Sequence, residues 1–355
     1  MRDVAIGLAG AGYWGSKLAR NIFEAQNCRL AAVSDPDPET LKAAIGRYPG
    51  TRGLSSFEEL VADPEVEGVV VATPASMHAE HARMALRAGK HAMIEKPLAL
   101  SVAEADELCA LAEETGLKLM VGHTFLYSEP VRFLRQLIVS GELGQVLYIY
   151  AQRLNLGIIR SDLNAMWNFG PHDISILLYL VGEDPDRVSA RQFTVLDHSL
   201  ADMAFVVLEF PGGVIGHIHE SWLDPRKVRQ ITVVGDEKMV VYDDTDVEAP
   251  ISIYDKGVTR SPMDPESPPD SAGGFGEFKL AVRAGDVVMP RVMGREPLGV
   301  EIEHFAECIA EGTTPLSDVE QGREVVAVLE AAERSTASGG AAVDVERRVR
   351  EHSAS

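Results

Sequence analysis

The sequence predicts an α/β protein in two parts: an N-terminal parallel sheet wound with helices, then an α+β half carrying a large open, mostly antiparallel sheet. Two observations predict it. Over residues 1–122, short apolar runs alternate with helical patterns, as successive βαβ units do. Beyond Gly141-Glu142-Leu143-Gly144 the runs lengthen, alternate in polarity and follow one another with few helices, as antiparallel strands with one covered face do. The boundaries so read are 1–122, 123–345 and a frayed tail over 346–355.

In the first part Val4–Ala9, Leu30–Ser34, Val69–Ala72, Ala92–Ile94 and Leu119–Val121 read as strands. Ser16–Ala25, Pro38–Tyr48, Phe57–Ala62, His78–Ala88 and Ser101–Thr115 read as helices. Ser56 with Glu59, and Ser101 with Glu104, are capping boxes whose side chains satisfy first-turn N–H groups. In the second part Leu147–Leu154, Val188–Leu196, Met203–Phe210, Val214–Trp222, Arg229–Val234 and Met239–Tyr242 read as strands. Helices are expected over Asp173–Val181, Val300–Glu311 and Asp318–Ser335, and a loop over Ser261–Gly276. No internal repeat is present.

With 355 residues the chain suits two domains of ordinary size, roughly 100–200 residues each. A hydrophobic content of 46% with 25% charged residues is that of a globular protein rather than a disordered one. The net charge of −21 repels phosphate backbones and anionic membranes, so nucleic acid and membrane are not expected partners. Cys28, Cys109 and Cys308 are too far apart for a CxxC motif or zinc ribbon, and their odd count suits no disulfide framework, which points to a reducing, cytoplasmic setting. The glycines in the first apolar run, and the lack of any run of ~18 apolar residues, give neither an export signal nor a membrane span.

Gly10-Ala11-Gly12-Tyr13-Trp14-Gly15 follows the first strand and opens a helix. That context makes it a Rossmann dinucleotide-binding turn. Gly10 permits the tight turn, Gly12 lets the backbone approach a pyrophosphate, and Gly15 allows close helix–strand packing. Asp35 ends the next strand, where a carboxylate binds ribose hydroxyls and repels a 2′-phosphate. With no Arg or Lys in Pro36-Asp37-Pro38 to reverse that, the expected cofactor is NAD rather than NADP. A P-loop is excluded because Ser16-Lys17 reverses the order that phosphate and Mg²⁺ need.

In such sheets ligands bind beyond the carboxyl ends of the strands, here Thr73-Pro74 and Glu95-Lys96-Pro97. A lysine at a strand end beside a nicotinamide can donate to a substrate oxygen and stabilise alkoxide character; by position alone it can also be a solvated cation.

Taken together, Gly10-Ala11-Gly12-Tyr13-Trp14-Gly15, Asp35, Ala72-Thr73-Pro74, His78, Glu95-Lys96-Pro97 and Gly170-Pro171-His172-Asp173 resemble the Gfo/Idh/MocA oxidoreductases in order and across both parts. The resemblance implies NAD(P)-dependent chemistry on sugars or cyclitols, and dimers or tetramers built through the C-terminal sheet. It also implies that Lys96 polarises the substrate hydroxyl and His172 serves as general base and acid, a task that suits an imidazole near neutral pH. Many members carry Asp four residues before that histidine; here Asn168 offers hydrogen bonds without charge, so it is expected to orient substrate or nicotinamide. The cofactor set so expected is Gly10, Gly12, Tyr13, Trp14, Gly15, Asp35, Thr73, Pro74, His78, Glu95, Lys96 and Trp167.

Tyr127, Arg153, Asn155 and Arg160 fall near the junction of the two parts and are candidate substrate contacts, as are Phe125 and Asn164. Arg153 and Arg160 are suited to phosphate, whereas Arg226-Lys227 and Arg229 read as a solvated turn. Asp173 reads as structural, because neighbouring helical side chains diverge. His217 and His219 share a strand face without a third ligand, so a sheet surface or subunit contact is expected rather than a metal. The function so expected is oxidation of a secondary ring hydroxyl, at the 3-position, of a sugar, nucleotide-linked sugar or amino sugar. A nucleotide-linked sugar such as a UDP-linked N-acetylhexosamine is preferred to a free aminoglycoside or an inositol-type cyclitol. The competing class is a dinucleotide-binding sensor or scaffold without turnover.

Overall fold

The computed structural model describes residues 3–157, 159, 162–196, 200–262 and 278–348. The first part contains β1 (Val4–Ala9), α1 (Tyr13–Glu24), β2 (Cys28–Ser34), α2 (Pro38–Ile45), β3 (Arg52–Leu54), α3 (Phe57–Ala62), β4 (Gly68–Val71), α4 (His78–Arg87), β5 (His91–Ile94), α5 (Val102–Thr115) and β6 (Leu119–Val121). Its strands form one parallel sheet in the order β3-β2-β1-β4-β5-β6. All residues of β1 and β4 are buried, which is why both read as unbroken apolar runs: helices cover each face. The order reverses between β1 and β4, so the crevice for a ligand opens at their carboxyl ends.

Local chemistry sets these elements. α1 buries Gly15, Leu18, Ala19 and Ile22, one stripe at helical spacing. Asp37 caps α2 by accepting from Thr40 N. Ser56 Oγ and Ser101 Oγ accept from the Glu59 and Glu104 N–H groups, while both glutamates reach back to the backbone of Ser55 and Leu100.

The second part contains α6 (Glu129–Val139), β7 (Val146–Leu154), α7 (Ala165–Val181), β8 (Arg187–Phe193), β9 (Met203–Glu209), β10 (Ile215–Ser221), β11 (Val228–Gly235), β12 (Met239–Asp243), β13 (Ile251–Pro262), β14 (Phe278–Val288), α8 (Pro297–Glu311), α9 (Val319–Ala337) and β15 (Val343–Asp344). Nine strands form a sheet in the order β14-β13-β12-β11-β7-β10-β9-β8-β15. Among the described residues of this sheet only β7 and β10 pair in parallel. Gly216, Ile218 and Glu220 of β10 are buried beneath α7, whereas His217 and His219 lie on the other, partly exposed face. α9 packs on α7 and β8, and also reaches α5.

The structure corrects several boundaries. α7 begins at Ala165 rather than Asp173, running through Gly170 and Pro171; Asn164 supplies its cap by accepting from Trp167 N, so His172 sits within the helix and not at its start. α6 was not expected. Its second residue is a proline, which is compatible with a first helical turn because no N–H is needed there. β13 and β14 extend what reads as loop; Ser261 and Pro262 belong to β13, and 263–276 of that loop lie outside the described residues. The tail is anchored as far as Arg348, since Arg347 pairs with Asp186 and Arg348 with Glu113 and Glu320.

Candidate active site

The glycine turn has the shape that a dinucleotide requires. Gly10 has φ of +87°, and a Cβ there would meet the Ala72 carbonyl oxygen at 2.8 Å. A Cβ on Gly15 would stand 1.9 Å from the Gly10 oxygen, so neither position tolerates a side chain. At Gly12 a Cβ would meet nothing within 4 Å; this bare surface over the start of α1 is where a pyrophosphate fits. Asp35 braces the turn, accepting from Ala11 N at 2.8 Å and Asp37 N at 2.9 Å.

A cavity of roughly 440 Å³ opens beside this turn, lined among others by Tyr13, Trp14, Thr73, Pro74, Lys96, Asn168 and His172. It joins the strand ends of the first part to α7 of the second. Wider hollows flank α6 near Arg135 and Tyr179, but neither adjoins the glycine turn. Lys96 Nζ donates to the Asn168 backbone oxygen at 3.0 Å, which anchors the strand-end lysine to α7. The Asn168 contact is thus made by its main chain, while the residue also lines the cavity.

His78 spans the two strand ends, its Nδ1 lying 2.7 Å from the Pro97 oxygen and its Nε2 2.9 Å from the Thr73 oxygen. Glu95 is buried and accepts from Trp14 Nε1; burial raises its pKa. Both residues therefore shape the cavity wall through protein partners.

His172 lines the cavity, yet its Nδ1 is buried without a hydrogen-bond partner among the described residues. Phe125 meets the ring edge-on at 5.0 Å. Burial, followed by the charges of Lys96 and Arg153, holds its pKa well below the usual imidazole value. A neutral ring is a competent proton acceptor.

Three expected contacts are displaced by stronger partners. Arg153 is 6% exposed and grips Asp173 with two hydrogen bonds of 2.9 and 2.7 Å; Phe125 stacks on its guanidinium at 4.7 Å. It is a buried ion pair rather than a phosphate hand, and Asp173 is its structural partner. Tyr127 is buried, its hydroxyl 2.9 Å from Ser317 Oγ. Trp167 turns from the cavity and donates to Glu333 at 3.0 Å. Asn155 continues the β7 edge, donating from its backbone to Ser221 O, and is not among the cavity residues. Arg160 lies outside the described residues.

The structure adds two charged groups. Arg229 is no turn residue: it lies in β11 opposite Arg153 and pairs with Asp244 at 3.2 Å. Glu220 of β10 stands opposite Arg153 on the other side, fully buried, and neither carboxylate oxygen has a hydrogen-bond partner among the described residues. A signal for it was present: Gly216, Ile218 and Glu220 share a strand face, and a charge on an apolar face is rarely buried without purpose.

Residues 4–123 match the model of the Gfo/Idh/MocA oxidoreductase family's NAD-binding Rossmann fold, and 131–241 match that of its C-terminal domain. The chain belongs to the Gfo/Idh/MocA family. Its first part is the NAD-binding Rossmann domain of that oxidoreductase family. It is 28% identical over 328 residues to UDP-N-acetylglucosamine 3-dehydrogenase of Acidithiobacillus ferrooxidans, covering 92% of this chain and 95% of that one. The solved structure of that enzyme superposes with a TM-score of 0.77 at 25% identity, over 95% of this chain and 99% of the other. A 29% match to 2,7-anhydro-N-acetylneuraminate hydratase of Escherichia coli spans 58% of this chain and only 59% of that protein's length. A gentamicin A biosynthesis protein in complex with NAD shares the fold, with a TM-score of 0.79 at 22% identity over 98% of this chain and 97% of that one. No helix among the described residues is long and apolar enough to cross a membrane.

Proposed function

We propose that this Gfo/Idh/MocA oxidoreductase is an NAD-dependent dehydrogenase that oxidises a secondary ring hydroxyl, at the 3-position, of a nucleotide-linked sugar to the ketone. The observation that carries the reading is that Lys96 and His172 line one cavity at the carboxyl ends of β4 and β5. A sensor without turnover needs neither residue there. The nucleotide-linked substrate draws support from the near full-length similarity to a UDP-N-acetylglucosamine dehydrogenase.

When bound, NAD supplies the hydride acceptor. The residues do the remaining work. The Lys96 ammonium carries three donors and, held by Asn168 O, hydrogen-bonds the substrate oxygen, favouring negative charge on it as the C–H bond breaks. His172, kept neutral, takes the hydroxyl proton. Trp14, itself held by Glu95, and Pro74 line the same cavity.

The test is to follow NADH absorbance across UDP-sugars, inositols and aminoglycosides. UDP-N-acetylhexosamine is expected to turn over, and Arg160→Ala to raise its KM by roughly 10–100-fold, the loss of a charge-assisted hydrogen bond. Turnover confined to cationic sugars, with Arg160→Ala harmless, overturns the substrate and leaves the dehydrogenase standing.

Asp35 gives the cofactor preference. NADH is expected to bind at least roughly tenfold more tightly than NADPH, about 1.4 kcal/mol, because a carboxylate at the ribose repels a 2′-phosphate. Asp35→Ala is expected to narrow the gap. Titration by tryptophan fluorescence reads both, and NADPH binding as well as NADH would contradict the assignment.

The outer face of the large sheet exposes Tyr148, Phe193, Phe205 and Ile215, with His219 stacked on Phe205 at 4.3 Å. A homodimer or homotetramer covering this face is expected, since contiguous exposed apolar surface marks contact sites. Light scattering that returned the monomer mass at micromolar concentration would refute it.

A further inference from the structure

We propose that Phe125 is the positioning residue for His172, fixing the plane of the imidazole in the place of the hydrogen-bonded carboxylate that orients a histidine in a catalytic triad. The inference rests on the reading of His172 as the base; its effect on the ring itself is measurable without any sugar.

A histidine that moves protons is ordinarily oriented by a hydrogen bond to its second nitrogen. His172 has none there: its Nδ1 is enclosed without a hydrogen-bond partner among the described residues, while the ring lines the cavity shared with Lys96 and Asn168. What meets the ring is Phe125, with centroids 5.0 Å apart and planes at 79°. That is the edge-to-face arrangement aromatic rings favour, and it sets an angle as well as a separation.

Phe125 is in turn held from several sides. It belongs to the short turn Thr124–Tyr127 that follows β6. Thr124 Oγ1 donates to Glu301 of α8 at 2.7 Å, and the Tyr127 hydroxyl lies 2.9 Å from Ser317 Oγ. The Arg153 guanidinium stands 4.7 Å from the Phe125 centroid, and Arg153 is fixed by two hydrogen bonds to Asp173, the residue after His172. The contacts thus form a closed circuit that leaves α7 at His172 and returns to it at Asp173. Phe125 is not among the residues that line the cavity, so it acts on the reaction through His172 and not by touching substrate.

The same contact bears on the proton. Burial is the first cause of the low His172 pKa, followed by the charges of Lys96 at the end of β5, Arg153 of β7, His123 after β6 and Arg229 of β11. The carboxylates at hand are Asp162 and Glu95, which line the cavity, and Asp173, engaged with Arg153. A change at residue 125 removes none of these charges. Truncating Phe125 leaves a space bordered by the imidazole and the guanidinium, polar groups with which water bonds. Water beside the ring stabilises the imidazolium, so the pKa of His172 rises toward the usual imidazole value.

The experiment pairs a pH profile of kcat/KM for oxidation, which reports ionisation of the free enzyme, with an NMR titration of the histidine-labelled full-length protein. The His172 signal is assigned by its loss in His172→Ala. Phe125→Ala is expected to lower kcat by roughly 10–100-fold, the scale of a misplaced reacting group, and to move the acid limb and the His172 titration to higher pH. NADH affinity should be unchanged. Phe125→Tyr, which keeps the ring, should restore both rate and limb. A residue that serves folding alone lowers the active fraction without moving the limb. An undiminished kcat in Phe125→Ala, or a limb and titration that coincide with those of the wild type, would overturn the proposal. If Phe125→Ala fails to fold, Phe125→Leu, which keeps bulk without an aromatic edge, is read for the same quantities. Failure of the base assignment shows separately, as near-normal rates in His172→Ala, and the NMR titration needs no substrate.

Discussion

Lys96→Ala and His172→Ala are each expected to lower kcat by roughly 10²–10⁴-fold while dinucleotide affinity stays nearly intact, the range that acid–base groups contribute. The expectation follows from their division of labour in the proposed reaction. Lys96 is fixed at the end of β5 and tied to Asn168 O, so its loss removes both a donor to the substrate oxygen and a contact between the strand end and α7. His172 is partly buried beside Phe125, and no other histidine lining the cavity has an uncommitted ring: both nitrogens of His78 face backbone carbonyls. Because the His172 pKa lies well below its ordinary value, the usual imidazole value of about 6.5 overestimates the pH at which activity fails. A base with a depressed pKa stays deprotonated further into acid, so kcat/KM for oxidation should lose its acid limb only below that value. Near-normal rates in His172→Ala across the pH range would remove the base assignment.

Asp173→Ala is expected to destabilise the fold by about 3–5 kcal/mol, the cost of leaving one member of a buried ion pair unmatched. The pair is almost wholly enclosed, with side-chain exposures of 7% for Arg153 and 2% for Asp173. Removing Asp173 leaves the guanidinium with Glu220 as the adjacent carboxyl. The double change Arg153→Met with Asp173→Leu should recover most of the loss, since apolar replacement of a whole buried pair is often neutral or stabilising. Urea denaturation measures both; a single-variant loss under about 1 kcal/mol would show that the pair is solvated or already compensated.

The first sheet was legible because its signals are local. Each of its five expected strands is present, and the ends of β1 and β6 agree to the residue. β3 escaped notice, being three residues long with none of them buried. In the second part the hydrophobic alternation located six strands, but the helix was expected only from Asp173, after Gly170 and Pro171, two residues of poor helix propensity. Only the capping by Asn164 and the packing of α7 on α9 and β10 override that local preference.

The site divides along the same line. Gly10, Gly12, Gly15, Thr73, Pro74 and Lys96 are recognisable from strand ends, because topology alone brings strand ends together. Arg153 is misread for the opposite reason: its partner Asp173 comes from another element, and two charges cancelling in the interior leave no trace in either segment considered by itself. Trp167 and Tyr127 are likewise decided by α9 and by Ser317, far along the chain.

The hold of Lys96 on α7 passes through a main-chain oxygen of residue 168, and a main-chain oxygen is the same whatever side chain the residue bears. The amide of Asn168 is thereby separated from the task of anchoring the lysine. Substrate preference at that wall is open to mutational drift while the anchorage is inherited unchanged, so Asn168→Asp should retune the site more than disable it.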